Sequence, residues 1–307
     1  MTTAAETAPT RRSLRIRARR SRRLLAAAVT CLILGLVPLT GVLIVQGVNS
    51  SHAAAQAERQ ERAMERWTPS EQRHALAQAH AYNRTLYKSS QHAIGAVMDG
   101  RMSEPDFAAK TDKTYWNTLK GPQGVMGTIR IPRIGVTLPI RHGSDEAALA
   151  NGAGHLYGTS LPVGGKDTHT VITAHRGVPD KELFTRLDEL KKGDVFYLTA
   201  AGGTLAYRVT RVQETDPSDT SLVRIEQGKD LATLLTCTPY GVNTRRLLVT
   251  GKRVSMPDDA PNIEDAPQDR KPLLVGAGTS LTVMFIGCSL IPPEKHVQGL
   301  HMKGFAH

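Results

Sequence analysis

At 307 residues and a formal net charge of +11, the chain is long enough for two average domains. Two uncharged apolar stretches take part of that length, however, and leave room for one sizeable core with appendages. The basic balance does not argue for nucleic acid: eight arginines and one glutamate in residues 1–23 carry seven of the eleven charges, and arginines abutting an apolar run act as topology signals and anionic-lipid contacts. Of three cysteines, Cys31 and Cys288 fall inside the apolar stretches, so the chain between them holds Cys237 alone, with no partner for an internal disulfide.

Residues 1–23 form a basic tail, read as cytoplasmic because Lys and Arg favour that side of a membrane. Residues 24–48 carry no charge and, at about 25 residues, exceed the roughly 20 needed to cross a hydrocarbon layer. They are expected to form a transmembrane helix in the cell membrane, with the chain after residue 48 on the extracellular side. A cleaved signal peptide is the competing reading, although its apolar region is normally roughly 7–15 residues long. Residues 49–120 open with Ala-, Glu-, Gln- and Arg-rich sequence that predicts two helices. The second starts at Thr68, with Pro69 in first position and Glu71 three residues on, the capping-box arrangement. This segment is expected to be a helical spacer lifting the catalytic part off the membrane, with irregular chain or short helix over 95–124.

Over residues 121–256 the texture changes to short alternating or apolar runs bounded by turn residues: GTIRIP, VTLPIRHG, HTVITAHRG, DVFYLTA, TLAYRVTRVQ, LATLLTC and RRLLVTGKRV. Seven or eight strands, with only short helical pieces such as DEAALANG and ELFTRLDEL between them, predict a mainly β domain closed as a barrel or stacked as a sandwich. Residues 257–272 are a Pro- and Asp-rich linker. Residues 273–291, uncharged and flanked by Pro272 and Pro292, are expected to be a second transmembrane helix, an apolar hairpin buried in the domain being the alternative. Residues 292–307 then form a second cytoplasmic tail.

Two of the strands lead into reactive side chains. VITA runs into His175 and LATLLT into Cys237, while RLLVTG begins at Arg246. The eight residues between Cys237 and Arg246 suit a loop joining antiparallel neighbours, so both would share one rim. Spacing alone does not bring His175 there. The three residue types suit acyl transfer. A thiolate attacks an amide carbonyl, an imidazole exchanges protons with the thiol and the leaving amine, and a permanently charged guanidinium stabilises the oxyanion. Thr236 and Thr238 flank the cysteine and are candidates to offer the substrate oxyanion a hydroxyl or backbone N–H. No cofactor is required. His142, His155 and His169 show no zinc-ligand spacing and read as hydrogen-bonded barrel histidines, and Trp67, Tyr115 and Trp116 read as packing residues.

The run TLLTCTPYGVNTRRLLVTG resembles the TLxTC…R signature of sortases, and HTVITAHRG resembles the segment that carries their catalytic histidine. GTIRIPRIGVTLPIRHGS, GAGHLYGTSLPVGG and ELFTRLDELKKGDVFYL are similar to class C sortases, the pilin polymerases of Gram-positive bacteria. The resemblance covers about residues 121–254 and implies an eight-stranded sortase-type barrel with Cys237 as nucleophile, His175 as general acid/base and Arg246 as catalytic arginine. Arg245 stands where this class often has His. The implied reaction cuts an LPxTG-like sorting signal of a pilin or surface protein between Thr and Gly, through a thioester, and passes the chain to a pilin lysine. A housekeeping sortase would pass it to a peptidoglycan amine instead. Class C members also carry an Asp-Pro-aromatic lid. Its nearest counterpart is Pro105-Asp106-Phe107, in a different order, which offers Asp106 to Arg246 and Phe107 as cover for the thiol, against an ordinary turn. The Ala- and Arg-rich composition points to an actinobacterial source. A caspase-type hydrolase lacks its QAC[RQG]G motif here, and a non-catalytic membrane scaffold would share the topology without needing the thiol.

Overall fold

The computed structural model describes residues 11–89, 91, 94, 109–150 and 152–257. Among the described residues, the helices α1 (Arg11–Glu65), α2 (Pro69–Lys88), α3 (Lys113–Asn117) and α4 (Glu146–Ala150) accompany eight strands. The strands are β1 (Val125–Ile131), β2 (Val136–His142), β3 (Ala153–His155), β4 (Thr168–Thr173), β5 (Val195–Ala200), β6 (Gly203–Thr215), β7 (Asp230–Thr238) and β8 (Arg245–Val254). They close into a barrel in the order β1-β2-β3-β4-β7-β8-β6-β5. The pairs β2–β3 and β4–β7 are parallel, and the other six are antiparallel. The seven strand-like sequence runs correspond to seven of these strands. The eighth, β3, has three residues, too few to show an alternating pattern.

Strand alternation divides the buried side chains between two faces. Ile129, Ile140, Ile172, Leu198, Leu234, Leu247 and Val249 belong to the main cluster, to which every strand contributes and which fills the barrel. A second cluster, made of Ile94, Leu156, Val171, Val223, Leu235 and Leu248, lies on the opposite face of β4, β7 and β8. Gly251 is required by packing, since a Cβ there would stand 2.7 Å from the Phe196 ring.

From residue 42 on, the helices before the barrel belong to the same compact unit as the barrel. Thr68 and Glu71 form the capping box that opens α2. One turn apart on that helix, Ala75 and Ala79 are buried in the main cluster, their small side chains allowing close approach. Asn83 pairs with the Leu161 backbone in both directions, at 3.1 and 2.8 Å. Glu61 of α1 accepts hydrogen bonds from Thr128 and Arg130 of β1. Earlier in α1, Gln46 Nε2 donates to the Pro179 carbonyl and Asn49 Nδ2 to the Asp180 carbonyl, each at 2.8 Å. A further correction concerns ELFTRLDEL, where the expected helical piece reduces to one 3-10 turn, Leu187–Glu189.

The chain divides into two compact units, residues 1–41 with 271–307 and residues 42–270. In the first, the described part is the N-terminal length of α1; the barrel and the other helices lie in the second. The stretch 24–48 lies within α1. No helix among the described residues is long and apolar enough to cross a membrane, although the side chains of 34–40 are not among those described. The stretch 273–291 and the lid candidates Asp106 and Phe107 also lie outside the described residues.

The barrel histidines are buried and bonded. His155 Nε2 lies 2.9 Å from the Ser160 carbonyl and its Nδ1 3.0 Å from the Tyr115 hydroxyl. His169 Nδ1 lies 2.8 Å from the Arg224 carbonyl and its Nε2 2.7 Å from the Thr233 hydroxyl. Each ring thus has one place for a donor and one for an acceptor, as a neutral imidazole requires. Burial holds both pKa values down at about 4. Below pH 6.5 the unfolded chain takes up protons that these folded rings refuse, so the stability they contribute is complete above pH 6.5 and is lost as pH falls toward 4. Each is expected to cost about 2 kcal/mol between pH 7 and pH 5. Thermal melts across that interval would show a falling midpoint for the wild type and a shallower fall for His169→Gln; a flat wild-type profile would refute the assignment.

Candidate active site

Cys237 is the penultimate residue of β7 and Arg246 the second residue of β8, and the antiparallel register sets them directly opposite each other. Opposed residues leave a sheet on the same face. Two steps back, the opposed pair is Leu235 and Leu248, both in the second cluster. Thiol and guanidinium therefore stand on the outer face of the barrel, at the end of an apolar floor. Both are buried, Cys237 at 8% exposure and Arg246 at 3%. Arg246 Nη1 donates to the carbonyls of Asn243 at 3.2 Å and Arg245 at 3.1 Å, so the β7–β8 turn itself holds the guanidinium. Arg245 pairs with Thr238 on the opposite face, and its half-exposed side chain lies 3.9 Å from Glu214. The register thus assigns Arg246, not Arg245, to the side of the thiol.

His175 arrives by the parallel pairing. Thr173 of β4 lies opposite Leu235 of β7, and the ladder continues for one more bond, from Ala174 N to the Leu235 carbonyl at 3.2 Å. His175 and Cys237 each come two residues after that registered pair, and so emerge at the same rim. The histidine lies beyond the strand, on a partly exposed loop. Its carbonyl accepts from Phe184 N at 3.1 Å, and its Nε2 lies 3.9 Å from the Glu146 carboxylate. That distance is too long for a hydrogen bond, and the Glu146 side chain is exposed, so no carboxylate among the described residues is hydrogen-bonded to the ring.

The flanking threonines take other roles than the one expected of their hydroxyls. Strand alternation turns both to the face away from Cys237. The Thr236 hydroxyl donates to the Ala174 carbonyl at 2.8 Å, which ties β7 to β4. The Thr238 hydroxyl accepts from Arg176 Nη1 at 3.2 Å and lies 3.3 Å from Glu214 Oε1 as donor. Arg176 and Glu214 escaped the sequence reading, since no spacing rule links them to the cysteine. The adjacency of Arg176 to His175 was the one available signal. Gly177 has a positive φ of 77°, and a Cβ there would meet the Tyr240 ring at 3.2 Å. The histidine loop and the β7–β8 turn are therefore in contact. Among the described residues no group of His, Cys, Asp and Glu could hold a metal ion.

Residues 129–254 match the family model of the sortase domain. Sortase A of Bacillus anthracis is 30% identical over 164 residues, which is 53% of this chain and 74% of that one. The chain belongs to the sortase family. Sortases are cysteine transpeptidases. Sortase D of Bacillus subtilis strain 168 is 32% identical over 132 residues, 42% of this chain; the match spans 64% of that relative, a little under two thirds of its length. Among solved structures, the pilus-related sortase C of Group B Streptococcus is 42% identical with a TM-score of 0.55, covering 64% of this chain and 95% of that one. Sortase C1 of the Group B Streptococcus pilus island 1 is 36% identical with a TM-score of 0.57, covering 66% of this chain and 99% of that one, and sortase C-1 from Actinomyces oris is 44% identical with a TM-score of 0.55, covering 61% and 100%.

On a sortase-type peptide, Arg246→Ala is expected to lower kcat about 100- to 1000-fold, the usual loss for an oxyanion donor. Arg246→Lys, which keeps the charge but loses the fork, should recover little of it. Arg245→Ala should stay within about threefold of wild type. Steady-state cleavage of the three variants, each checked for folding, decides the assignment; equal losses at both positions would reject it.

Proposed function

We propose that this sortase is a class C transpeptidase that joins LPxTG-bearing pilin subunits. The Cys237 thiolate attacks the carbonyl of the Thr–Gly bond, and Arg246 stabilises the resulting oxyanion. Collapse of the tetrahedral species breaks the C–N bond, and the departing glycine amine takes a proton from His175. The acyl chain is then a thioester on Cys237. A lysine amine of the next pilin attacks it, gives its excess proton to His175, and releases the Cys237 thiolate with a new isopeptide bond. The opposition of Cys237 and Arg246 on one face of the barrel carries this reading, and the likeness to pilus-related sortase C supports the choice of substrate. We place the barrel on the extracellular side, anchored in the cell membrane by residues 24–48 and 273–291, on the strength of their uncharged runs and the arginines before the first.

The similarity to the Sortase A of Bacillus anthracis favours a second reading, transfer to a peptidoglycan amine. To separate the two, the full chain in detergent micelles would be incubated with an LPxTG-type peptide and, in parallel, a lysine-bearing pilin fragment or a peptidoglycan-derived amine, and analysed by mass spectrometry. The expected outcome is an acyl adduct on Cys237 that is discharged faster by pilin lysine. Preference for the cell-wall amine would select the second reading. Function retained by Cys237→Ala in cells would mean a scaffold and no transpeptidase at all.

A further inference from the structure

Resting on the reading of His175 and Cys237 as the reacting pair, we infer that Arg176 is a positioning residue that sets the distance between them. The ladder joining β4 to β7 runs out at Ala174, one residue before the histidine. Beyond that point, the backbone of His175 is carried by a loop, while Cys237 remains on its strand. Arg176 comes next after the histidine, Thr238 next after the cysteine, and the Arg176 guanidinium donates to the Thr238 hydroxyl at 3.2 Å. One side-chain bond thus extends the β4–β7 register to the residues that react.

The rest of the guanidinium is fixed from the other side. Its Nε donates to the Thr185 carbonyl at 3.2 Å, and its Nη2 pairs with the Asp188 carboxylate at 2.6 Å. The Arg176 side chain is 7% exposed, whereas Asp188 is half exposed, so the guanidinium is fixed inside the loop while its carboxylate partner stands at the surface. Thr185 also accepts from Gly177 N through its hydroxyl at 3.2 Å, so the same residue holds both Arg176 and its successor. On the strand side, Thr238 passes the connection to Glu214 of β6. The guanidinium reaches its three acceptors from three separate nitrogens in one fixed plane, a geometry that the single nitrogen of a lysine does not reproduce. The three acceptors span the segment after His175 and the strand end of Cys237.

Arg176 points to the face opposite the thiol, through Thr238, and has no contact with the reacting atoms. Its effect is geometric: misplacing a catalytic group by about 1 Å costs on the order of 100-fold in rate without loosening substrate binding. The test uses the full chain in detergent, with a fluorogenic LPxTG-type peptide and hydroxylamine as the amine. Arg176→Met is expected to lower kcat about 100-fold with KM within about threefold and a folded, cooperative melt. Arg176→Lys should recover part of the loss at most. Thr238→Val, which removes only the bond between the two strand ends and leaves Arg176 on Asp188, should lower kcat about tenfold, and it carries the test if Arg176→Met does not fold. In Arg176→Ala, added guanidinium chloride at low millimolar concentration should restore rate, which a merely structural defect would not allow. Wild-type kcat in folded Arg176→Met or Thr238→Val, or a rate loss that only tracks the folded fraction, overturns the inference alone. A wild-type chain with no transfer to hydroxylamine would instead sink the functional reading and this inference with it.

Discussion

The parallel pairing of β4 with β7 is the constraint on which the site depends. Because both strands run the same way, both end at one rim, and His175, two residues past the end of β4, comes level with Cys237, the penultimate residue of β7. β8 then starts where β7 stops and runs back antiparallel, delivering Arg246 opposite Cys237. Had β4 been antiparallel to β7, His175 would lie at the far end of a six-residue strand, about 20 Å from the thiol. A 62-residue separation in sequence is thus closed by strand direction.

The barrel interior is filled with side chains from every strand, so it has no room for a substrate, and the chemistry is on the outer face. That face is not an ordinary wet surface. Val171, Leu235 and Leu248 continue the same rows of side chains that end in the reacting residues, and Leu156, Val223 and Ile94 cover them. An apolar floor lowers the local dielectric, which strengthens the action of a guanidinium on a developing negative charge. It also raises the cost of burying that guanidinium. The carbonyls of Asn243 and Arg245, one turn away in the chain, offset this by accepting its N–H groups. The tight β7–β8 turn therefore serves the electrostatics of the site as much as its geometry.

How much could be read from the amino-acid sequence depends on the range of the interactions involved. Period-two runs located seven strands, and the eight-residue gap between Cys237 and Arg246 placed those two on a shared rim, because each is a local property of a few residues. The capping box at Thr68 was readable for the same reason. β3 was not, since three residues carry no period. The choice between Arg245 and Arg246 rested on motif resemblance until the register gave it a physical basis. The packing of the helices on the barrel was hidden because Ala75 and Ala79 bury without the bulky apolar stripe that marks a core-facing helix, and Glu61 meets Thr128 and Arg130 across more than sixty residues. The roles of Thr236 and Thr238 were missed because position beside a nucleophile was weighed above the alternation that turns neighbours to opposite faces.

Cys237 and Arg246 are held by strand ladders on both sides of β7, whereas His175 has left its strand and must obtain its rigidity otherwise. The segment 175–190 is secured from several directions at once. Phe184 N closes it onto the histidine carbonyl, Thr185 and Asp188 hold Arg176, and Tyr240 of the β7–β8 turn packs on Gly177. From outside the barrel, Gln46 and Asn49 of α1 bond the carbonyls of Pro179 and Asp180, four and five residues past the histidine. The last of these contacts falls where the apolar run of α1 gives way to polar sequence. Gln46 and Asn49 of that helix therefore bear directly on the loop that carries His175. A displacement of that helix relative to the barrel would reach His175 before it reached Cys237 or Arg246, which are buffered by their ladders.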